Sequence, residues 1–284
     1  MKPILTPRQN KILSTILTAF AFYLSFKSLS IVMGLYEIET FVDLSFIVYV
    51  FLFLWFVFFY DLHLKKSPNG RFSHFFRLSH IKHLIIFFIT PTLSYWSLVI
   101  LLALNPFNEM IKETSVIVVT LSLVTFFWYY HEFFSRQLNR HPNQIKVLNL
   151  IKLIALFLVF ASALGASWFM GDAEMQMFSL IFTSTFLLMY QAMVHYEEFN
   201  LIALMTSIGV SFVVGILALA VYYYWNFHYF SGALLLVAVY NFFWSMLHHY
   251  LSKDLTSKLF WEYLFMTLVL VSLILVSQNF AAKV

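Results

Sequence analysis

Apolar residues run along this chain in blocks of about twenty, separated by short polar segments. The blocks are Ile12–Met33, Phe41–Tyr60, Leu84–Leu104, Ser115–Phe134, Val147–Met170, Met177–His195, Leu201–Trp225, Gly232–Tyr250 and Leu259–Gln278. A helix rising 1.5 Å per residue needs about twenty residues to cross roughly 30 Å of hydrocarbon. Each block therefore predicts a spanning helix. The runs are continuous and do not alternate, which favours helices over barrel strands. The expected fold class is all-α: a polytopic transmembrane helical bundle of about nine spans.

Composition agrees with that pattern. The 284 residues are 62% hydrophobic, 20% aromatic and only 11% charged. A soluble chain is about a quarter charged, so lipid is the expected solvent. Residues 1–284 read as a single integral membrane domain, with no Gly/Ser linker and no soluble domain. The first block has a basic start but no small-residue cleavage site, and reads as an uncleaved first helix. There is no cysteine, which excludes disulfides, thiolate metal ligands and a cysteine nucleophile. No P-loop, GxGxxG or GxSxG occurs, and seven glycines leave little room for a nucleotide loop. Nothing in the chain points to nucleic acid; membrane lipids are the expected surroundings.

Charge sets the expected orientation. Of the 17 lysines and arginines, only Lys112 and Lys283 fall in the loops after odd-numbered spans, and Lys27 lies in the first span. The rest flank the N-terminus and the loops after even-numbered spans, with Lys152 counted beside its loop. By the positive-inside rule that basic side is cytoplasmic. The chain reads as a multi-pass protein of the cell inner membrane, N-terminus inside and C-terminus outside.

Histidines follow the same asymmetry. Nine of ten (His63, His74, His80, His83, His131, His141, His195, His248, His249) lie at the basic side, and His228 at the other. The even-numbered spans end alike, in "FFYDLHLKK", "FFWYYHEFFSR", "QAMVHYEEF" and "SMLHHYLSKD". His63, His131, His195 and His249 thus recur at intervals that suggest a helical-hairpin repeat. Polar residues at i, i+4 and i+7 form stripes: Gln191, His195 and Glu198; Asn241, Ser245 and His248; with Thr125, Tyr129 and Glu132 at the same spacing. Polar faces avoid lipid, so these stripes are expected to face one another. Imidazoles with carboxylates suit iron, zinc or manganese. The expected ligands are His131, Glu132, His195, Glu198, His248 and His249. Gln191, Asn241, Ser245, Tyr129 and Asp254 would line the pocket. The same groups serve acid–base chemistry, since histidine titrates near neutral pH.

Other residues carry plainer readings. Asp61 and His63 sit beside Lys65 and Lys66 and read as a solvated rim. "RFSHFFRLSHIKH" reads as an interfacial amphipathic segment on anionic lipid. His141, before Pro142, reads as a loop residue, and tyrosines and tryptophans at span ends as interface anchors.

The stretch "LHHYLSKDLTSKLFW" resembles a segment of polytopic bacterial inner-membrane proteins of unknown biochemical role. Its matching positions are His248, His249, Tyr250, Asp254, Lys258 and Trp261; "YQAMVHYEEF", with Gln191 and His195, is similar as well. The resemblance implies a membrane protein with a histidine-rich cytoplasmic edge and supplies no reaction. The histidines also resemble, in ligand chemistry, those of membrane fatty-acid desaturases and hydroxylases. Those enzymes carry HxxxH and HxxHH boxes, whereas this chain has His80-x-x-His83 and the pair His248–His249.

The expected function is a metal-dependent inner-membrane enzyme acting on a lipid or isoprenoid-like apolar substrate at the cytoplasmic face, oxidative in its most concrete form. The alternatives are a proton-coupled carrier and a non-enzymatic assembly or scaffold protein.

Overall fold

The computed structural model describes residues 7–64, 78–105, 108–135, 142–171, 173–196, 201–225 and 228–281. These contain nine α-helices and no strand, and each helix contains or overlaps one of the nine apolar blocks. Among the described residues, seven are long and apolar enough to cross a membrane, consistent with a polytopic membrane bundle. The other two are the third and sixth. In the third, the apolar stretch within the described residues is Phe88–Leu104. The sixth carries Gln176, Ser179, Thr183, Ser184, Thr185 and Gln191 along its length. Those side chains dilute its hydropathy.

The chain divides into two compact units, residues 1–151 and 152–284. The first holds α1 (Pro7–Leu35), α2 (Ile38–Leu64), α3 (Leu78–Leu104) and α4 (Glu109–Ser135). Proline at the first helical position of α1 sacrifices no bond, because that N–H has no intrahelical acceptor. Asn108 caps α4: its Oδ1 accepts the Ile111 N–H at 3.1 Å, satisfying one of the orphan donors of the first turn. α1 packs on α2, α3 and α4. Their core is aromatic, with Phe22, Phe26, Phe56, Tyr95 and Phe126 fully buried. Hydroxyls and indoles tie the helices together. Trp55 Nε1 donates to Thr18 Oγ1 (3.0 Å), Tyr49 and Thr92 share a bond (2.9 Å), and the Tyr95 hydroxyl donates to the Ser45 carbonyl (2.5 Å).

The helix α5 (Pro142–Met170) begins in the first unit and has its larger part in the second. Gly171 ends it at φ +59°, the left-handed cap that glycine adopts without a steric penalty. The second unit continues with α6 (Glu174–Tyr196), α7 (Leu201–Tyr224), α8 (Tyr229–Leu251) and α9 (Ser257–Ala281). Here α6 packs on α7, α7 on α8 and α8 on α9. Glycine permits close approach: a Cβ at Gly215 would stand 2.7 Å from the Phe178 ring, and one at Gly232 2.8 Å from Val221. α9 is the least covered helix; Ile274 is its one buried side chain among the described residues.

Two charges within helices have surroundings that their positions along the chain did not give. Lys152 belongs inside α5, 2% exposed, and not with the preceding loop. Lys27, in the first span as expected, brings its Nζ to Glu113 Oε2 of α4 at 2.6 Å. Both were read from position along the chain, and both depend on which helices meet.

Candidate functional site

The described part of the predicted site centres on the turn between α8 and α9. α8 ends in a Schellman motif. Ser252 is the C-cap, the Lys253 N–H donates to the Tyr250 carbonyl (3.2 Å), and the Asp254 N–H donates to the His249 carbonyl (3.1 Å). This arrangement requires a left-handed residue after the cap. Lysine fills it, with φ 57° at Lys253. Three residues on, Thr256 caps α9 by accepting the Leu259 N–H at 3.3 Å. The turn "SKDLT" thus closes one helix and opens the next.

That geometry folds Asp254 back over His249. The same residue that satisfies the His249 carbonyl through its N–H places a carboxylate oxygen 3.0 Å from His249 Nδ1. On the other side of the ring, Nε2 lies 3.3 Å from the Tyr263 hydroxyl, two turns into α9. A carboxylate accepts only from a protonated nitrogen. The neutral imidazole therefore carries its proton on Nδ1 and accepts from Tyr263 at Nε2. The His249 side chain is 18% exposed and that of Asp254 58%. At that exposure the pair adds at most about 1 kcal/mol to stability, so its stronger effect is to fix ring orientation and tautomer.

His248 points elsewhere. Its ring stacks on Trp244 one turn earlier, 6.0 Å between centroids and 13° from parallel. The two histidine rings are 5.6 Å apart at 47°. Phe242 meets Phe260 edge-on at 6.0 Å, a second link between α8 and α9. Tyr250 and Trp261 are exposed beside the turn, as interface anchors are.

The remaining predicted residues divide as follows. Gln191 is fully buried in α6. Asn241 and Ser245 are half-buried. They flank the buried face of α8, which runs through Tyr240, Trp244 and Leu247. Tyr129 is half-buried in α4. His131, Glu132 and His195 lie on the helical backbone of α4 and α6, but their side chains fall outside the described residues, and Glu198 falls outside them altogether. Tyr129, His131 and Glu132 belong to the first unit and the others to the second. Among the described residues no three histidine, aspartate or glutamate side chains gather as a metal would require.

Sequence reasoning missed Tyr263. The available signal was its distance from the turn, since a residue two turns into α9 can return to the level of one near the end of α8.

No protein-family model, no curated protein and no solved structure matches this chain. An imidazole held by a carboxylate with a phenol on its free nitrogen can take a proton from Tyr263 or return one. The same carboxylate–imidazole pairing is how proteins orient a metal-bound histidine. A metal on His249 Nε2 would take the position Tyr263 now occupies.

Proposed function

We propose that this chain is a multi-pass enzyme of the cytoplasmic membrane, acting on a lipid or isoprenoid-like apolar substrate at the face formed by the basic loops. The supporting observation is the Asp254–His249–Tyr263 chain. It is an oriented acid–base group at a helix end, beside an α9 whose large apolar side chains are exposed along its length. Lipid can deliver an apolar substrate laterally to such a group, while water supplies protons from the other side. His249 is the acid–base residue, Tyr263 passes the proton, and Asp254 is the positioning residue. The metal-dependent form of the reading, with iron, zinc or manganese on His131, Glu132, His195, Glu198, His248 and His249, rests on residue type and sequence spacing.

The test is a comparison of lipid extracts, by mass spectrometry, from membranes holding wild type, His249→Ala or Tyr263→Phe at equal abundance. A species consumed or formed by wild type and unchanged in both variants supports the enzyme. Identical extracts from all three would sink it. Metal analysis of the purified wild type decides the metal-dependent form, which is lost if no stoichiometric metal is found.

A proton-coupled carrier is the second reading, favoured by the Lys27–Glu113 pair between two candidate spans. Proton-driven uptake that disappears in Glu113→Gln would support it.

A further inference from the structure

Two candidate spans carry a charge on the side they turn away from the core. In α1, Phe22, Phe26 and Leu29 are fully buried, while Phe20, Leu24, Ile31 and Leu35 are exposed. Lys27 comes three residues after Leu24 and four before Ile31, which puts it in their stripe. In α4, Val116, Val119 and Leu123 are fully buried, while Met110, Ile117 and Leu121 are exposed. Glu113 falls between Met110 and Ile117 at the same spacings. α1 packs on α4. The two charges meet across that seam at 2.6 Å, with side chains still 32% and 40% exposed. Lys112, beside Glu113 in the sequence, is by contrast buried.

Such a pair is out of place against lipid. Ionisable groups within spans almost always face a bundle interior or a watery cavity, because hydrocarbon solvates them poorly. Lys27 stands eight residues from the end of its candidate span at Leu35, about 12 Å along the helix. Among the described residues, the bond to Glu113 is the one hydrogen bond that either side chain makes. Further ammonium donors and carboxylate lone pairs are left over, and acyl chains cannot meet them. A seam that carries both signs also selects what covers it. An apolar helix satisfies neither charge, and a helix with one charge matches half of the pair. A second copy matches both. Copies inserted by the same rule share one orientation, so a two-fold axis along the membrane normal brings Lys27 of each copy opposite Glu113 of the other.

We propose that the α1–α4 seam is the interface of a homodimer, in which the Lys27–Glu113 pairs of two copies close into a ring of four alternating charges. Leu24, Ile31, Ile117 and Leu121 surround the ring and pack against their counterparts. The contact is isologous, so each copy gives and receives the same bonds. The inference concerns how copies associate and rests on neither reading of function.

Charge reversal tests it on the full chain, in discs excised from native membranes, with the dimer fraction read by single-molecule photobleaching. Lys27→Glu leaves the seam with two acidic groups and Glu113→Lys with two basic ones. Like charges face to face disfavour an interface strongly, so either variant expressed alone should associate at least about tenfold less than wild type. Co-expressed under two different tags, the two variants should pair with each other as wild type does, which two misfolded chains could not do. The double reversal Lys27→Glu/Glu113→Lys restores both signs to one chain and should dimerise alone. A wild type that is monomeric in the discs overturns the proposal. So does a single reversal that dimerises like wild type, or a co-expressed pair that stays apart while wild type dimerises. Native mass spectrometry of the discs adds one further outcome. A monomer carrying a phospholipid that is lost in Glu113→Gln would assign the seam to a lipid headgroup and overturn the dimer.

Discussion

The two units hold their helices together by different means. In residues 1–151, side chains bond across helices: Lys27 to Glu113, Trp55 to Thr18, Tyr49 to Thr92 and Tyr95 to Ser45. In residues 152–284, helices approach closely at Gly215 and Gly232. Polar links there include ones near helix ends, as at Tyr223 with Glu174 and His249 with Asp254 and Tyr263. Lipid offers no hydrophobic drive for helices to associate, leaving hydrogen bonds and close packing as the available attractions. One unit relies more on the first, the other more on the second.

The largest effect should come from disturbing the close packing. Gly232→Leu forces its side chain against Val221 and Leu164, both within 3.3 Å of a Cβ there, and should destabilise by about 1–3 kcal/mol. Gly34→Leu, with nothing within 4 Å, should leave the thermal midpoint in detergent nearly unchanged. Equal losses from both would show that close approach at Gly232 is not what matters.

Lys253→Gly probes the turn. It relieves a left-handed non-glycine residue and should stabilise by about 1 kcal/mol, read as a rise in midpoint with His249 chemistry intact. A fall would mean the lysine side chain has a contact outweighing the strain.

Tyr95→Phe tests the hydrogen-bonded unit. It removes the bond to the Ser45 carbonyl while keeping the ring, and should cost about 0.6 kcal/mol, the usual worth of such a bond between membrane helices. A loss as large as that of Gly232→Leu would erase the contrast between the units.

The smallest effect concerns pH. His228 caps α8 by accepting the Phe230 N–H at Nδ1 (3.4 Å), and its ring stacks on Phe230. Burial against these groups lowers its pKa below the ordinary value of 6.5. The unfolded chain then binds the proton more readily, so stability rises with pH. The contribution is present above about pH 6.5 and is lost as pH falls through the lower folded value. His228→Asn keeps an acceptor at the cap and should flatten that part of the pH–stability curve; an unchanged slope would assign it elsewhere.

The positions of the helices were legible because hydropathy over twenty residues is a local sum. Pro142 at the first position of α5 and Gly171 just past its end behave as their chemistry requires. The α8 terminus was harder, because its left-handed position holds Lys253 where glycine is usual. Asp254 was expected to line a pocket, and its carboxylate lies on the His249 ring. Tyr263, Glu113 and the burial of Lys152 were not legible. Each depends on which helices become neighbours, and the repeating helix-end pattern says nothing of that.

The bareness of α9 has a consequence for how much its sequence must specify. Apart from Ile274 and the residues that meet α8, such as Phe260 and Tyr263, its described side chains face surroundings that accept any apolar group. Leucine, valine and phenylalanine are nearly synonymous at those sites. The information that places this helix is concentrated in the few residues of the turn before it, and α9 is steered from its first turn.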